Sequence, residues 1–523
     1  MSPCFPQTVL KTDMRTAEGR ADTRESTCKS LAHVGFLNLK EAPTQITYAQ
    51  VVEPKDGLPG YCNVSGYVWP QVGFELRLPL ENWNGKFIEI GCGGYCGGVW
   101  WTIWCPLKKG YACIASNMGH AGGNEAIWAY QNLQAQIDFG YRGAHVTAVA
   151  GKAITERFYG SPAKHSFFHG CSSGGQQALS EAQRFPWDFD GIIAGAPSPT
   201  FSGPMMSYLW SARVLLAGRV SRSDLKLVHD RAVAKCDMDD GIRDGIIGDP
   251  FHCKFDPSEL LCKPDKMADC LTADKVAAVK KVYSGPMTSQ GGKIYTGGPL
   301  PGSELNWMGS SDGDAYISGN EPTPWAAEYF RYVGFMPAPG PGWNPSDFDF
   351  DRDYKRLRTS ESMFGAADNP DLRKFKGAGG KLILYQGALD QSDIPADAVD
   401  YYETVERTMG GRATTQEFFR LFVVPGMNHC TGGAGAFAID YLTYLEAWVE
   451  QGQAPDRMIG AHVDDSYWKE HGEGAFEPFL LRFPLDAQIP VAFTRPIFPY
   501  PWRAEYKGSG NPTRAENFKA IQP

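Results

Sequence analysis

Residues 167–183 read FFHGCSSGGQQALSEAQ, from Phe167 to Gln183. The run His165 to His169 has the length of a buried strand, and Gly174 to Arg184 reads as a helix. Between them, Gly170-Cys171-Ser172-Ser173-Gly174 spells Gly-x-Ser-x-Gly. In a strand–turn–helix setting this pattern is a nucleophile elbow, a tight turn that exposes a serine hydroxyl at a helix N-terminus. Small flanking residues let strand and helix approach, and the amide after the serine can receive an oxyanion. Ser172 is therefore the candidate nucleophile, with Ser173 the rival in the same run and the expected donor of one oxyanion amide.

On either side of the elbow, strands and helices alternate. Lys86 to Ile90 and Tyr111 to Ala115 read as strands, residues 134–157 as a long helix, and FDGIIAGAPS (189–198) as holding a further strand. Residues 200–378 break the pattern, being rich in Gly, Pro, Asp and Trp with two or three clear helices. The alternation then returns with strand Lys381 to Gln386, a helix near 395–410, strand Glu417 to Val424 and helix Phe437 to Gln451. Such alternation predicts an α/β fold, a mainly parallel sheet with helices on both faces. The expected organisation is an α/β-hydrolase domain formed by 1–200 and 379–523, interrupted by a lid at 201–378.

A serine hydrolase of this architecture presents its acid and then its base further along the chain. KLILYQGALDQSDIP supplies Asp390 just beyond a strand, with Asp393 as the alternative acid. LFVVPGMNHCTGG supplies His429 in a glycine-flanked loop after the next strand. The second oxyanion donor is expected from the glycine-rich loop GCGGYCGG, at the amide of Gly93 or Gly94. Cys171 precedes the serine and Cys430 follows the histidine. If serine and imidazole meet, these cysteines come within disulfide range, where Cα atoms lie less than about 7 Å apart. Closing so long a loop stabilises a fold by roughly 5 kcal/mol in the chain-entropy account.

Composition narrows the function classes. The 523 residues are 43% apolar and 21% charged, with a net charge of −9 and no basic block, which disfavours nucleic acid and anionic membranes as partners. No apolar run is long enough to span a bilayer. Thirteen cysteines without a CxxC pair argue against zinc and for an oxidising compartment. A secreted or periplasmic location is expected, although the first twenty residues lack the layout of a signal peptide. The odd count leaves one thiol over, with Cys4 the candidate.

CDMDDGIRDGIIGDP (236–250) gathers Asp237, Asp240 and Asp244 on a turn with tight glycine bends. Hard oxygen donors on such a loop suit calcium, though Gly248 stands where an EF-hand needs its bidentate glutamate.

The Cys-Ser…Asp…His-Cys arrangement resembles the tannase and feruloyl esterase family, which also contains mono(2-hydroxyethyl) terephthalate hydrolase. GCSSGG, PGMNHCTGG, AWVEQGQAPD (447–456) and TRPIFPYPWRAEYKGSG carry the likeness, which extends from about Asn82 to Tyr506. The resemblance implies a triad of Ser172, Asp390 and His429 and a Cys171–Cys430 bridge. It also implies a structural calcium held by carboxylates of Asp237, Asp240 and Asp244 and carbonyls of Ile242 and Ile246. Cys236–Cys253 and Cys262–Cys270 would tie the lid loops, and Cys28–Cys62 looks like a family pair. Three departures stand out. Ile394 lies four places beyond Asp390 instead of the family's three, Ile497 and Lys519 occupy the places of a C-terminal disulfide, and extra cysteines crowd the oxyanion loop. Among those, Cys96–Cys105 is the expected pair.

The implied activity is hydrolysis of a small aromatic-acid ester. Trp307, Trp325, Tyr329, Phe330, Tyr332, Phe335 and Trp343 are candidates to stack a flat acyl group or to form the lid's own core. Arg331 is read as a substrate contact or, in preference, a structural ion pair.

Overall fold

The computed structural model describes residues 24–55, 57–264, 268–309, 315–318, 321–472 and 480–522. Its centre is one nine-stranded sheet. The strands are Thr44–Val52 (β1), Tyr61–Val68 (β2), Val72–Pro79 (β3), Lys86–Ile90 (β4), Ala112–Ser116 (β5), His165–Cys171 (β6), Gly191–Gly195 (β7), Lys381–Gly387 (β8) and Phe419–Val424 (β9), in spatial order β1-β2-β3-β5-β4-β6-β7-β8-β9. From β5 to β9 every pairing is parallel. The edge made by β1, β2 and β3 is antiparallel, and β3 also meets β5 antiparallel. Period-two patterning explains that edge: β3 alternates buried and half-buried residues along Val72–Leu78.

The central strands are apolar throughout because both their faces are covered. Phe167 and Phe168 are consecutive on β6 and both fully buried, so they point to opposite faces. Phe168 lies beside the first turns of helix Ser173–Arg184 (α2), and Phe167 lies beside Leu445 of Tyr441–Gln451 (α9). Burying each ring contributes about 1.5–3 kcal/mol. The long helix expected at 134–157 is broken: a short helix at Leu133–Ile137 passes through one π-helical stretch, Asp138–Arg142, into Gly143–Tyr159 (α1).

Among the described residues between β7 and β8, none joins the nine-stranded sheet. Sequence patterning undercounted its helices. Ser202–Ala217 (α3), Arg222–Cys236 (α4), Ala273–Ser284 (α5), Pro324–Tyr332 (α6) and Asp353–Phe364 (α7) are all present. Local signals for them exist, including a Ser221–Asp224 capping box before α4 and prolines opening α6. Gly/Pro-rich connections masked those signals. The chain returns to the sheet through β8, helix Pro395–Met409 (α8) and β9.

Six disulfides staple the described residues: Cys28–Cys62, Cys92–Cys96, Cys105–Cys113, Cys171–Cys430, Cys236–Cys253 and Cys262–Cys270. The expected Cys96–Cys105 pair is overturned. A turn closed by the Cys96 amide on the Gly93 carbonyl brings Cys92 and Cys96 to a Cα separation of 5.3 Å. Cys105 instead pairs with Cys113 of β5. Cys4 lies outside the described residues.

Candidate active site

The three candidate residues sit at the carboxyl ends of β6, β8 and β9. Ser172 follows β6 with φ +61°, a conformation that non-glycine residues rarely adopt, and its amide donates to the Gly195 carbonyl at 3.0 Å. The elbow's glycines are required by contact. A Cβ on Gly170 would lie 2.4 Å from the Gly174 carbonyl oxygen, and one on Gly174 would lie 2.7 Å from that of Cys92. The rival Ser173 is buried, and its hydroxyl donates to the Gly94 carbonyl at 2.6 Å. Ser173 is thus already engaged, whereas Ser172 is half-exposed.

Beyond β8 the chain turns on itself, and Asp390 is completely buried. Its Oδ1 accepts the amides of Ser392 and Asp393, each at 2.9 Å, and its Oδ2 accepts the Gln386 amide nitrogen at 3.0 Å. His429 Nδ1 meets the same Oδ2 at 2.8 Å. Asp393, the alternative acid, stands on the other side of the ring, with its Oδ2 3.7 Å from Nε2. The geometry therefore separates the two aspartates, and Asp390 is the one bonded to Nδ1. Asp390 is also favoured by its surroundings, because the amides of Ser392 and Asp393 and the Gln386 side chain donate to a carboxylate buried away from solvent. The Cys171–Cys430 bridge spans 259 residues of sequence and holds the elbow and the histidine loop at a Cα separation of 6.0 Å.

The loop after β4 packs against the start of α2. Gln177 accepts the Cys92 amide at 3.3 Å and donates to the Cys92 sulfur at 3.0 Å. Among the described residues the amides of Gly93 and Gly94 donate to no protein acceptor. Trp101 and Trp325 lie where side chains on Gly93 and Gly94, respectively, would point.

The segment between β7 and β8 reaches these loops directly. Tyr95 donates to the Trp325 carbonyl at 2.8 Å, Tyr316 to the Gln391 carbonyl at 2.8 Å, and Asn306 to the Asn428 side chain at 2.9 Å. Trp325 faces Tyr95 with ring centroids 4.9 Å apart, and Phe201 stacks between Tyr95 and Tyr329. Most of the other candidate aromatics, including Trp307, Phe330 and Phe335, are buried in the segment's own core. Arg331 pairs with Glu328 at 3.3 Å and donates to the Trp343 carbonyl, a structural role. Tyr95, Trp101, Phe201 and Gln177 were missed from sequence, since each looks like ordinary core until the loop around it is closed.

In the acidic loop, Asp237 Oδ1 accepts the amides of Asp244 and Gly245, and Asp244 Oδ2 meets Arg495 at 2.6 Å. Burial pushes the Asp240 carboxyl up to about 7, with Asp244 and Asp237 adding like charge. Asp240, Asp244 and Arg495 line one cavity. Asp237, Asp240 and Asp244 bring hard carboxylate oxygens of the kind a divalent cation takes, and the Arg495 guanidinium already neutralises one of them, Asp244. They are not drawn tightly together. The one group of three ligand-type residues whose donor atoms all lie within 4.8 Å of each other, among the described residues, is His145, Glu181 and Asp188. That group lies beside α1 and α2, with Asp188 Oδ2 2.6 Å from His145 Nδ1 and the Lys152 ammonium donating to the Asp188 carbonyl. Burial holds the carboxyls of Glu181 and of nearby Glu89 well above the usual range, and Lys152 supplies the local cation.

A mainly parallel sheet with an elbow serine, a buried aspartate and a loop histidine at its strand ends defines an α/β-hydrolase. The family model for tannase and feruloyl esterase matches residues 58–521, and the chain belongs to that family. Mono(2-hydroxyethyl) terephthalate hydrolase of Piscinibacter sakaiensis is 33% identical, over 89% of this chain and 85% of its own. A probable feruloyl esterase B-2 of Aspergillus flavus is also 33% identical, over 77% and 81%. The crystal structure of feruloyl esterase B from Aspergillus oryzae superposes with a TM-score of 0.79 at 27% identity, covering 95% of this chain and all of that one.

Proposed function

We propose that this protein hydrolyses carboxylic esters of aromatic acids through an acyl-enzyme on Ser172. The observation that carries the reading is the 2.8 Å contact between His429 Nδ1 and the buried Asp390, joined to the elbow by the Cys171–Cys430 bridge. With Nδ1 held by Asp390, the imidazole is set in the tautomer whose Nε2 carries the lone pair that accepts a proton. His429 removes the Ser172 proton as the hydroxyl oxygen attacks the ester carbonyl. The tetrahedral oxyanion is received by the amides of Ser173 and of Gly93 or Gly94. Collapse expels the alcohol, protonated by His429, and water repeats the sequence to release the acid.

An aromatic acyl group suits the wall formed by Trp325, Tyr95 and Phe201, and relatives named for feruloyl and terephthaloyl esters support it. Residues 201–378 act as a lid over a catalytic unit made of 1–200 and 379–523. The carboxylates of Asp237, Asp240 and Asp244, with the carbonyls of Ile242 and Ile246, hold a calcium ion whose role is structural. Export to an oxidising compartment follows from the disulfides.

The test is a hydrolysis panel of methyl ferulate, methyl gallate, a terephthalate half-ester and short alkyl esters, run with wild type and Ser172→Ala. The expected outcome is preference for an aromatic acyl group and loss of turnover by at least about a thousandfold in the variant. Turnover retained by folded Ser172→Ala removes the serine from its role, and a preference for alkyl esters removes the aromatic assignment.

A further inference from the structure

Two carboxylates flank the imidazole of His429, one at each nitrogen. Asp390 is bonded to Nδ1 at 2.8 Å, and Asp393 Oδ2 stands 3.7 Å from Nε2. The second carboxylate does not arrive there by looseness. Asp393 is buried, its Oδ1 accepts the Ser198 hydroxyl at 2.7 Å, and its amide donates to Asp390 Oδ1 at 2.9 Å. Gln386 clamps the pair from below, donating to the Asp393 carbonyl at 2.8 Å and to Asp390 Oδ2 at 3.0 Å. One turn therefore fixes both acids against the ring. At 3.7 Å, the Asp393 carboxylate lies beyond hydrogen-bond distance of Nε2 and within ion-pair distance of the ring. It is near enough for charge attraction between a ring and a carboxylate whose side chains are 11% and 10% exposed.

We propose that Asp393 is a positioning residue for the catalytic base, an electrostatic partner that stabilises the His429 imidazolium from the Nε2 side during acyl transfer. The inference rests on the assignment of His429 as general base. When Ser172 Oγ gives its proton to Nε2, the ring becomes a cation lying between two anions. When the tetrahedral intermediate collapses, the same proton leaves Nε2 for the departing alkoxide oxygen and the ring is neutral again. Asp393 neither gains nor loses a proton in either step. Its carboxylate favours the charged ring and so sets the pH below which the base is already protonated and inactive. Asp397 and the phenol of Tyr295 feel the charge of Asp393, and the phenols of Tyr316 and Tyr385 that of Asp390. These phenols are held well above their ordinary range by burial and stay neutral.

The experiment is the pH profile of kcat/KM on methyl ferulate for wild type, Asp393→Asn, Asp393→Glu and Ser198→Ala, each checked by its melting temperature. Removing the charge should move the acid limb to lower pH by roughly one unit, and Asp393→Glu should return it towards wild type. Ser198→Ala, which frees Asp393 without removing it, should shift the limb in the same direction by less. It also supplies the reading if Asp393→Asn fails to fold. An acid limb that stays in place, or moves upward, in folded Asp393→Asn or Ser198→Ala overturns the proposal. Failure of the underlying mechanism is distinguishable, because it appears as turnover by Ser172→Ala whatever the limb does.

Discussion

At Asp397, in the first turn of α8, burial pushes a carboxyl up to about 8, and the Tyr295 hydroxyl donates to it at 3.0 Å. The unfolded chain releases this proton near pH 4, whereas the folded chain keeps it until about pH 8. Between those limits the native state binds more protons than the unfolded state, so stability falls as pH rises. Glu361, buried and bonded to Ser202, is pushed up to about 7 and acts in the same direction. The melting temperature of wild type should decline from pH 5 to pH 8, and Asp397→Asn should flatten that decline. Equal slopes for the two proteins in scanning calorimetry would exclude Asp397 as the source. Residues of this kind are invisible in sequence, where Asp397 reads as a solvated helix-start acid. Ser172, Asp390 and His429 were legible because each stands just beyond a strand with a glycine two or three residues away. The contact between Asp393 and Nε2 was not, since it depends on how one turn folds back.

The elements explain which parts of the fold the sequence revealed. β4, β5, β6, β7, β8 and β9 carry short apolar runs that need cover on both faces, so their places along the chain could be read directly. β1 and β2 could not: their half-buried and exposed positions resemble loop until they pair. The elbow itself joins two elements, and its partner loop is tied to it by a single covalent link. Changing Cys171 and Cys430 together to alanine should lower stability by up to about 5 kcal/mol. It should also reduce kcat more than KM, because serine and imidazole lose their fixed relation while the acyl wall of Tyr95 and Phe201 is untouched. Urea denaturation and steady-state kinetics measure the two effects separately. A double variant with wild-type kcat would show that packing alone aligns the pair.

On the scale of the whole molecule, the segment between β7 and β8 is anchored at both ends of its path. Tyr208 and Tyr316 reach the acid turn through Ser392 and the Gln391 carbonyl, and the acidic loop reaches the C-terminal strand pair Met458–Val463 and Val491–Ile497, where Arg495 meets Asp244. Asp249 makes a second such link to Arg503. A cation bound at Asp237, Asp240 and Asp244 would therefore bear on a junction between two distant parts of the chain. Chelation should lower the melting temperature by several degrees, added calcium should restore it, and magnesium should do so poorly because it demands a tighter octahedral shell. Asp240→Asn should melt lower in calcium and no longer respond to chelator. The loop meets the catalytic residues' surroundings through Ile246, which packs at Pro425 and Gly426 ahead of His429, so kcat measured well below the melting temperature should change less than stability in either case. A melt indifferent to chelator and to Asp240→Asn would mean that Arg495 alone supplies the charge this loop requires.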